Sequence, residues 1–411
     1  MKRPLKLFVI SCMMILCTAA CRKSESPVIT DTTQQQLQQI LNTNLAAYKN
    51  LYPAYQGGIA MEVITKQGTW FVTSGMGENI TNQVHFRAAS NTKTLTSTAI
   101  LLLNQQGKLD ISKKITDTIP GTQMPYIPAT PEYNIPYKSS ITILELLRHR
   151  AGVFDVSNNP VPDTVSVVVP YKGLNYLDWV KASDPEHTFT FDEMVNVDAV
   201  CRLYYFPPGT SYHYSNTGYT LLGKIIERVT GKSYQQFLEE EVMTPAGMAN
   251  SSMPVLGTDL SIPSPYATGY TLTADTVINS TLQNMSANVA EGNLITTPDD
   301  FGRFLGQLLS GKGVLNTHTV NAIMMDCLPT EEGSNANYGC GLTYTNNLGY
   351  GHSGAHEGFL SLTACDPNSG FTVVIFTNTL NFSKGTTSVF DQLFGLLENT
   401  CYQAKAVVNP D

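Results

Sequence analysis

Charged residues are scarce in this sequence of 411 residues, at 14%, whereas hydrophobic residues make up 42%. The hydrophobic share is sufficient for a globular core and excludes a disordered or collagen-like chain. The net charge is −8 and no basic stripe is present, so nucleic acid is not an expected partner. Few charges together with abundant Asn, Thr, Gly and Tyr are typical of an exported or envelope protein.

Long hydrophobic runs are also lacking, and the mean hydropathy is −0.08, which excludes a polytopic membrane protein. The apolar run over residues 7–17 follows a basic start and is too short to span a bilayer. It leads into Thr18-Ala19-Ala20-Cys21, which resembles a bacterial lipoprotein cleavage site. We therefore predict a signal peptide over 1–21, lipidated Cys21, a tether over 22–31 and membrane anchoring in the cell envelope (periplasm or outer membrane). Ordinary cleavage after Ala20 is the alternative.

Closely spaced metal-ligand cysteines are missing as well. Five cysteines follow the export signal without a C-x-x-C spacing, and an odd number leaves at least one unpaired. His352-x-x-x-His356 would need a helix to bring both imidazoles to one ion, and the neighbouring glycines oppose a helix. The sequence therefore predicts no metal and no organic cofactor.

Hydrophobic periodicity predicts strands near both ends of the chain and helices between them. The strands are expected over 57–65, 69–73, 338–345, 359–366 and 371–377, and the helices over 32–50, 91–106, 142–149, 219–230, 234–243 and 388–399. This order favours one antiparallel sheet assembled from both chain ends over a βαβ series. The predicted catalytic unit is 32–400, mixed α/β over 32–89 and 295–400 and all-α over 90–294, with 401–411 as a tail.

Ser90 and Lys93 open the first strongly helical segment. Positions i and i+3 share a helix face, so the hydroxyl and the amine can meet. A lysine in a desolvated site can lose its charge and accept the proton of a weak nucleophile, and a helix N-terminus favours the developing alkoxide. The alternative is an exposed helix start with Ser90 as a cap.

Two further motifs follow in order, Tyr214-Ser215-Asn216 before a helix and His352-Ser353-Gly354 near the C-terminal strands. The series S-x-x-K, Y-x-N, [KH]-[TS]-G resembles that of the penicillin-recognising serine hydrolases, the D-Ala-D-Ala carboxypeptidases and serine β-lactamases. The tyrosine of the second motif is similar to the class C branch, and the histidine of the third is closer to the DD-peptidase and esterase branch. Flanking segments agree, including Glu291-Gly292-Asn293-Leu294, which is similar to the family's Gly-Gly-Leu segment.

The resemblance implies a β-lactamase/DD-peptidase-like α/β fold, in which helices flank an antiparallel sheet and an all-α domain is inserted. It implies an acyl-enzyme mechanism in which Ser90 is the nucleophile, and Lys93 and Tyr214 share its proton in an order left open. Asn216 would orient Lys93 and the substrate, and His352 would act on the substrate carboxylate or the leaving group.

The resemblance also implies how the substrate is held. The backbone N–H groups of Ser90 and Ala355 would form the oxyanion hole, and Ser353 and Gly354 would bind the substrate. We expect His352 to act in its neutral form.

The leading functional hypothesis is a D-alanyl-D-alanine carboxypeptidase-like DD-peptidase acting on cell-wall peptides. Alternatives are a class C-like β-lactamase, a small-ester esterase, and a penicillin-binding receptor that has lost catalysis. A small peptide or a β-lactam is the expected partner. The segment between His149 and Tyr214 is long for this family. It forms either a wall of the substrate cleft or a surface decoration, and we favour the decoration because loops tolerate insertions.

Overall fold

The structure is a computed structural model that describes Met1 and residues 32–274, 276–383 and 387–409. The predicted signal peptide, lipidated Cys21 and tether lie outside the described residues. No helix among the described residues is long and apolar enough to cross a membrane. The cysteines among the described residues are free thiols: Cys201, Cys327, Cys340, Cys365 and Cys401.

Ten α-helices and thirteen strands occur among the described residues, besides short 3-10 and π-helical segments. The helices are α1 Thr32–Leu51, α2 Thr92–Gln105, α3 Ile143–Leu147, α4 Tyr176–Lys181, α5 Phe191–Cys201, α6 Asn216–Thr230, α7 Tyr234–Leu238, α8 Pro298–Leu309, α9 Thr317–Thr319 and α10 Thr387–Val408. The strands are β1 Ile59–Ile64, β2 Thr69–Ser74, β3 Phe86–Arg87, β4 Tyr270–Leu272, β5 Val277–Asn279, β6 Ile295–Thr296, β7 Leu328–Pro329, β8 Asn337–Tyr338, β9 Thr343–Thr345, β10 Gly349–His356, β11 Phe359–Asp366, β12 Phe371–Thr377 and β13 Thr379–Asn381.

The main sheet has six strands in the order β2-β1-β12-β11-β10-β9, and every neighbouring pair is antiparallel. The predicted pairing of the two chain ends is confirmed, because β1 lies beside β12 with Ile59 opposite Thr377. Helices α1 and α10 cover one face of the sheet and α8 covers the other. Successive side chains therefore enter different cores, with Met61 on the α1 side and Ala60 on the α8 side.

The C-terminal part differs from the sequence prediction in two strands. The single strand expected over 338–345 is divided into β8 and β9 by a turn in which Gly341 has a left-handed backbone (φ +70°). The sequence pattern missed β10, because its glycines and histidines are poor strand formers on their own. Pairing with β11 and β9 on its two sides holds this segment extended.

Helix α10 continues to Val408, beyond its expected end. Cys401 and Ala404 are fully buried in the core between α10 and the sheet. Residues 401–408 thus belong to the fold and are not the tail that the sequence suggested.

Candidate active site

Ser90 lies in a 3-10 turn, Ala89–Asn91, that connects β3 to α2. Ala89 adopts a left-handed backbone with φ +48°, an unfavourable conformation for a residue with a side chain. Asn91 fixes the turn against the sheet, because its Nδ2 donates to Ser361 Oγ at 2.9 Å and its Oδ1 accepts from Thr363 Oγ1 at 2.9 Å. The strained turn is therefore held in place by β11.

Lys93 lies in the first turn of α2 and is fully buried. Its Nζ lies 3.3 Å from Ser90 Oγ and 2.7 Å from Asn216 Oδ1. The structure thus brings together residues of the first two sequence motifs, although Lys93 and Asn216 are 123 positions apart. Burial lowers the pKa of Lys93, and the Glu291 carboxylate beside it opposes this by raising it.

Tyr214 lies over the same amine, with Lys93 Nζ 4.7 Å from the ring centroid. Burial raises the pKa of Tyr214 well above its usual value, and a hydrogen bond to Ser90 offsets only part of this shift. The His149 ring packs against Tyr214 with centroids 4.2 Å apart, and His149 Nδ1 accepts from Ser215 N at 3.1 Å. His149 therefore packs locally and in doing so positions the tyrosine.

Asn216 begins helix α6, and neighbouring polar groups define where that helix starts. The Ser215 hydroxyl caps the helix by accepting from Gly218 N at 3.2 Å. The buried Asp155 carboxylate accepts a hydrogen bond from the backbone N–H of Asn216. A carboxylate is favourable at a helix N-terminus, so Asp155 stabilises the placement of Asn216. We call Ser90, Lys93, Tyr214 and Asn216 the nucleophile cluster.

His352 lies in the middle of β10 and is almost completely buried. Its Nδ1 lies 2.5 Å from the Ser353 carbonyl oxygen, which can only accept, so Nδ1 carries the proton. The Tyr338 hydroxyl then donates to Nε2 at 2.9 Å. Burial, together with the charge of Lys93, lowers the pKa of His352 to about 3. The ring is neutral, and both of its nitrogens are already hydrogen bonded.

The remaining residues of the third motif divide between the cleft and the interior. Ser353 and Ala355 line the same cleft as Ser90. Gly354, predicted to bind substrate, instead packs against Ala88 of the nucleophile turn. A Cβ at this position would overlap the Ala88 carbonyl oxygen, so only glycine permits this approach.

The nucleophile cluster opens into a cleft of about 690 Å³. One side of the cleft comes from residues 153–200, which we call the inserted wall. Its lining residues are Ser157, Asn158, Asn175, Leu177, Asp178, Lys181 and Pro185. Our preference for a surface decoration was therefore wrong. The inserted wall has its own small core, which includes Val161, Leu177 and Met194, and this core supports the polar residues facing the cleft.

Two residues of the site were missed by the sequence analysis. Glu291 pairs with Lys93, and Tyr338 donates to His352. The only available signal for Glu291 was that an acidic residue precedes the glycine of the Gly-Gly-Leu-like segment. Tyr338 gave no signal, because its partner lies on another strand. No cluster of three or more potential metal ligands occurs in 32–274, 276–383 and 387–409.

Known proteins are similar to this chain in sequence or in fold. Protein flp of Staphylococcus aureus is 25% identical over 360 residues, covering 85% of this chain and 64% of that protein. Penicillin-binding protein 4* of Bacillus subtilis is 32% identical over 169 residues, covering 40% of this chain and 29% of that protein. The D-amino acid amidase of Ochrobactrum anthropi, solved with D-phenylalanine, superposes with a TM-score of 0.70 at 23% identity, covering 93% of this chain and 100% of that one.

This chain spans slightly less than two thirds of the length of protein flp. The similarity to the amidase, at its level of identity, concerns the fold. A family model described as Beta-lactamase matches residues 52–393, a range that contains all three sequence motifs and the whole nucleophile cluster. The chain therefore belongs to the β-lactamase family of serine hydrolases.

Proposed function

We propose that this protein hydrolyses amide or ester bonds through an acyl-enzyme formed on Ser90. The observation that carries the proposal is that Ser90 Oγ and Asn216 Oδ1, both from residues that line the open cleft, contact the buried amine of Lys93. Ser90 Oγ forms a bond to the substrate carbonyl carbon, and the leaving group departs with a proton. Water then releases the acyl group and restores the Ser90 hydroxyl.

Lys93 is the better candidate for the first proton acceptor. Its pKa is lowered by burial, whereas the pKa of Tyr214 is raised well above the usual phenol range. An amine is thus available nearer neutral pH than a phenolate is. In this assignment Tyr214, hydrogen bonded to Ser90, passes the proton to the leaving group. The backbone N–H groups of Ser90 and Ala355 stabilise the oxyanion.

We further propose that the substrate is a peptide ending in a D-amino acid, so that the activity is that of a DD-peptidase. The volume and polar lining of the cleft suit a peptide. A carboxypeptidase also needs a cation for the terminal carboxylate, and neutral His352 does not supply one. Lys181 on the inserted wall faces the cleft and can take this role. The relative named as a penicillin-binding protein supports this choice.

Small-ester hydrolysis is the second candidate. The neutral state of His352 favours it, because an uncharged third motif suits a substrate without a carboxylate. A class C-like β-lactamase would instead turn over β-lactams rapidly. A penicillin-binding receptor would bind them without catalysis.

The deciding experiment is intact-mass spectrometry during exposure to benzylpenicillin, alongside release of D-alanine from a peptide ending in D-Ala-D-Ala. We expect a long-lived adduct that maps to Ser90, release of D-alanine, and neither result in Ser90→Ala. Rapid penicillin hydrolysis without a lasting adduct would identify a β-lactamase. Cleavage of p-nitrophenyl esters alone would identify an esterase. Absence of both adduct and turnover would overturn the proposed mechanism.

We also propose that the protein is exported and held at the bacterial cell envelope by a lipid on Cys21. The basic start, the short apolar run and the small residues before Cys21 support this. Metabolic labelling with an alkyne fatty acid tests it. Wild type should be labelled and recovered with membranes, and Cys21→Ser should lose both properties. Labelling of Cys21→Ser equal to that of wild type would contradict the assignment.

A further inference from the structure

Glu291 occupies an unusual place for a carboxylate, beside the amine expected to accept the Ser90 proton. Its Oε2 lies 3.2 Å from Lys93 Nζ, and the two side chains are 3% and 0% exposed. Lys93 Nζ also lies 2.9 Å from the Glu291 carbonyl oxygen. A single residue thus contributes two of the four oxygen atoms that surround the amine.

The loop before Glu291 is built to hold that carboxylate. Ala290 has a left-handed backbone with φ +73°, and its carbonyl oxygen accepts from Thr96 Oγ1 of α2 at 2.6 Å. Asn288 Nδ2 donates to the other carboxylate oxygen of Glu291, Oε1, at 2.6 Å. The loop is therefore fixed to the same helix that carries Lys93, and both carboxylate oxygens are engaged.

We propose that Glu291 is a positioning residue for the nucleophile, holding the Lys93 amine against Ser90 and setting the pH at which that amine accepts the Ser90 proton. The proposal rests on the proposed acylation of Ser90. An ammonium has three hydrogens, and the four oxygen atoms around Lys93 favour that charged form. To act as a base, Lys93 must first lose one proton.

The charges and burial around Lys93 determine in which direction the pH dependence should move when Glu291 is replaced. The negative charge of Glu291 raises the pKa of Lys93, and burial lowers it. Removing the carboxylate leaves the smaller effect of the Asp155 charge to oppose burial, so the amine becomes available at lower pH. The other titratable groups facing this pair are Asp155, Tyr214 and Tyr234. Toward Lys93 they also include His149, Tyr219, His352 and His356. A Glu291 variant leaves all of these residues in place, and because the charge of Glu291 also raises the pKa of Tyr214 and of Tyr234, its removal acts on them in the same direction as on Lys93.

The test is the pH dependence of Ser90 modification by a fluorophosphonate, followed by intact mass from pH 5 to 10. The probe loses fluoride as Ser90 Oγ bonds to phosphorus, so the rate reports activation of Ser90 without a deacylation step. In Glu291→Gln the rising limb of the profile should move to lower pH by about one unit or more. The maximal rate should fall, because a less basic amine is a poorer proton acceptor.

Three variants distinguish this role from a merely structural one. Glu291→Asp retains a negative charge and should keep the limb near its wild-type position. Asn288→Ala removes the donor that stabilises the carboxylate and should move the limb in the same direction by a smaller amount. This variant decides the question if Glu291→Gln does not fold. Glu357→Gln removes another carboxylate that lines the cleft and should leave the limb unmoved.

The outcomes separate this inference from the proposed function. If the probe does not modify Ser90 in the wild type, the proposed function fails. If the wild type reacts while Glu291→Gln and Asn288→Ala lower the rate without moving the limb, Glu291 is only structural and the inference is overturned.

Discussion

The nucleophile cluster and the inserted wall face the same cleft but are built in opposite ways. In the cluster, Lys93 and Asn216 are buried and hydrogen bonded to each other across 123 positions of the chain. On the wall, Asn158 and Asp178 are exposed and lie within one continuous segment with its own small core. The difference indicates that the cluster determines the chemistry, and that the wall can change substrate selection without disturbing it.

The largest expected effect lies in the cluster. Lys93→Ala should slow acylation of Ser90 by a p-nitrophenyl ester by roughly a thousandfold, the range expected for loss of a general base. The measurement is the pre-steady-state burst rate of the folded protein, with folding checked by circular dichroism. Lys108→Ala, just after the same helix and exposed, is the matched control and should react like wild type. A loss below about tenfold would show that Lys93 is not the proton acceptor.

The second largest effect is expected on the stability of the contact between strand β10 and the nucleophile turn. Gly354→Ala should lower the free energy of unfolding by about 1–3 kcal/mol, because the new methyl group overlaps the Ala88 carbonyl. In contrast, Gly395→Ala in α10 meets nothing within 4 Å and should stabilise the protein by up to about 1 kcal/mol. Urea unfolding of both variants measures the difference. Equal stabilities would mean that the turn and β10 separate easily.

A smaller effect is expected on the inserted wall. Lys181→Gln should raise KM for a peptide ending in a free carboxylate by about tenfold, because the charge pair between Lys181 and that carboxylate is lost. KM for the same peptide with an amidated C-terminus should stay nearly unchanged. Lys172→Gln alters a lysine of the same segment that does not line the cleft, and serves as control. Comparable changes for both peptides would remove Lys181 from carboxylate recognition.

The smallest effect concerns pH. Because the pKa of His352 is about 3, below the usual value for histidine, the ring stays neutral down to acidic pH. Its protonation can weaken activity only as the pH falls toward 3, and no limb near pH 6.5 should arise from it. Profiles of kcat/KM for wild type and His352→Gln should therefore have the same shape from pH 5 to 8. A limb near neutrality that disappears in the variant would show that His352 titrates during catalysis.

The free energy of unfolding should also decrease at acidic pH because of His352. Since the folded-state pKa lies below the unfolded value, the neutral ring stabilises the fold above about pH 6.5, and this contribution is lost as the pH falls toward 3. Acid unfolding of His352→Gln should thus be less steep than that of wild type over this range.

Sequence patterns were sufficient for elements with regular periodicity. The spacing of apolar residues predicted helix α2, strands β11 and β12, and the pairing of the two chain ends. Sequence patterns did not predict β10, because its glycines and histidines carry no strand signal, although this strand contains the third motif. Its extended form results from pairing with two neighbouring strands, which a local pattern does not contain.

The sequence by itself determined which residue types could perform acyl transfer, because Ser90 and Lys93 share a helix turn and the ordered motifs resemble those of one family. Only the tertiary structure decided which groups surround them. Glu291 reaches Lys93 across 198 positions of the chain, and the inserted wall became one side of the cleft. Periodicity records neighbours within one helix or strand, whereas burial and hydrogen bonding between distant segments determine the protonation state of Lys93.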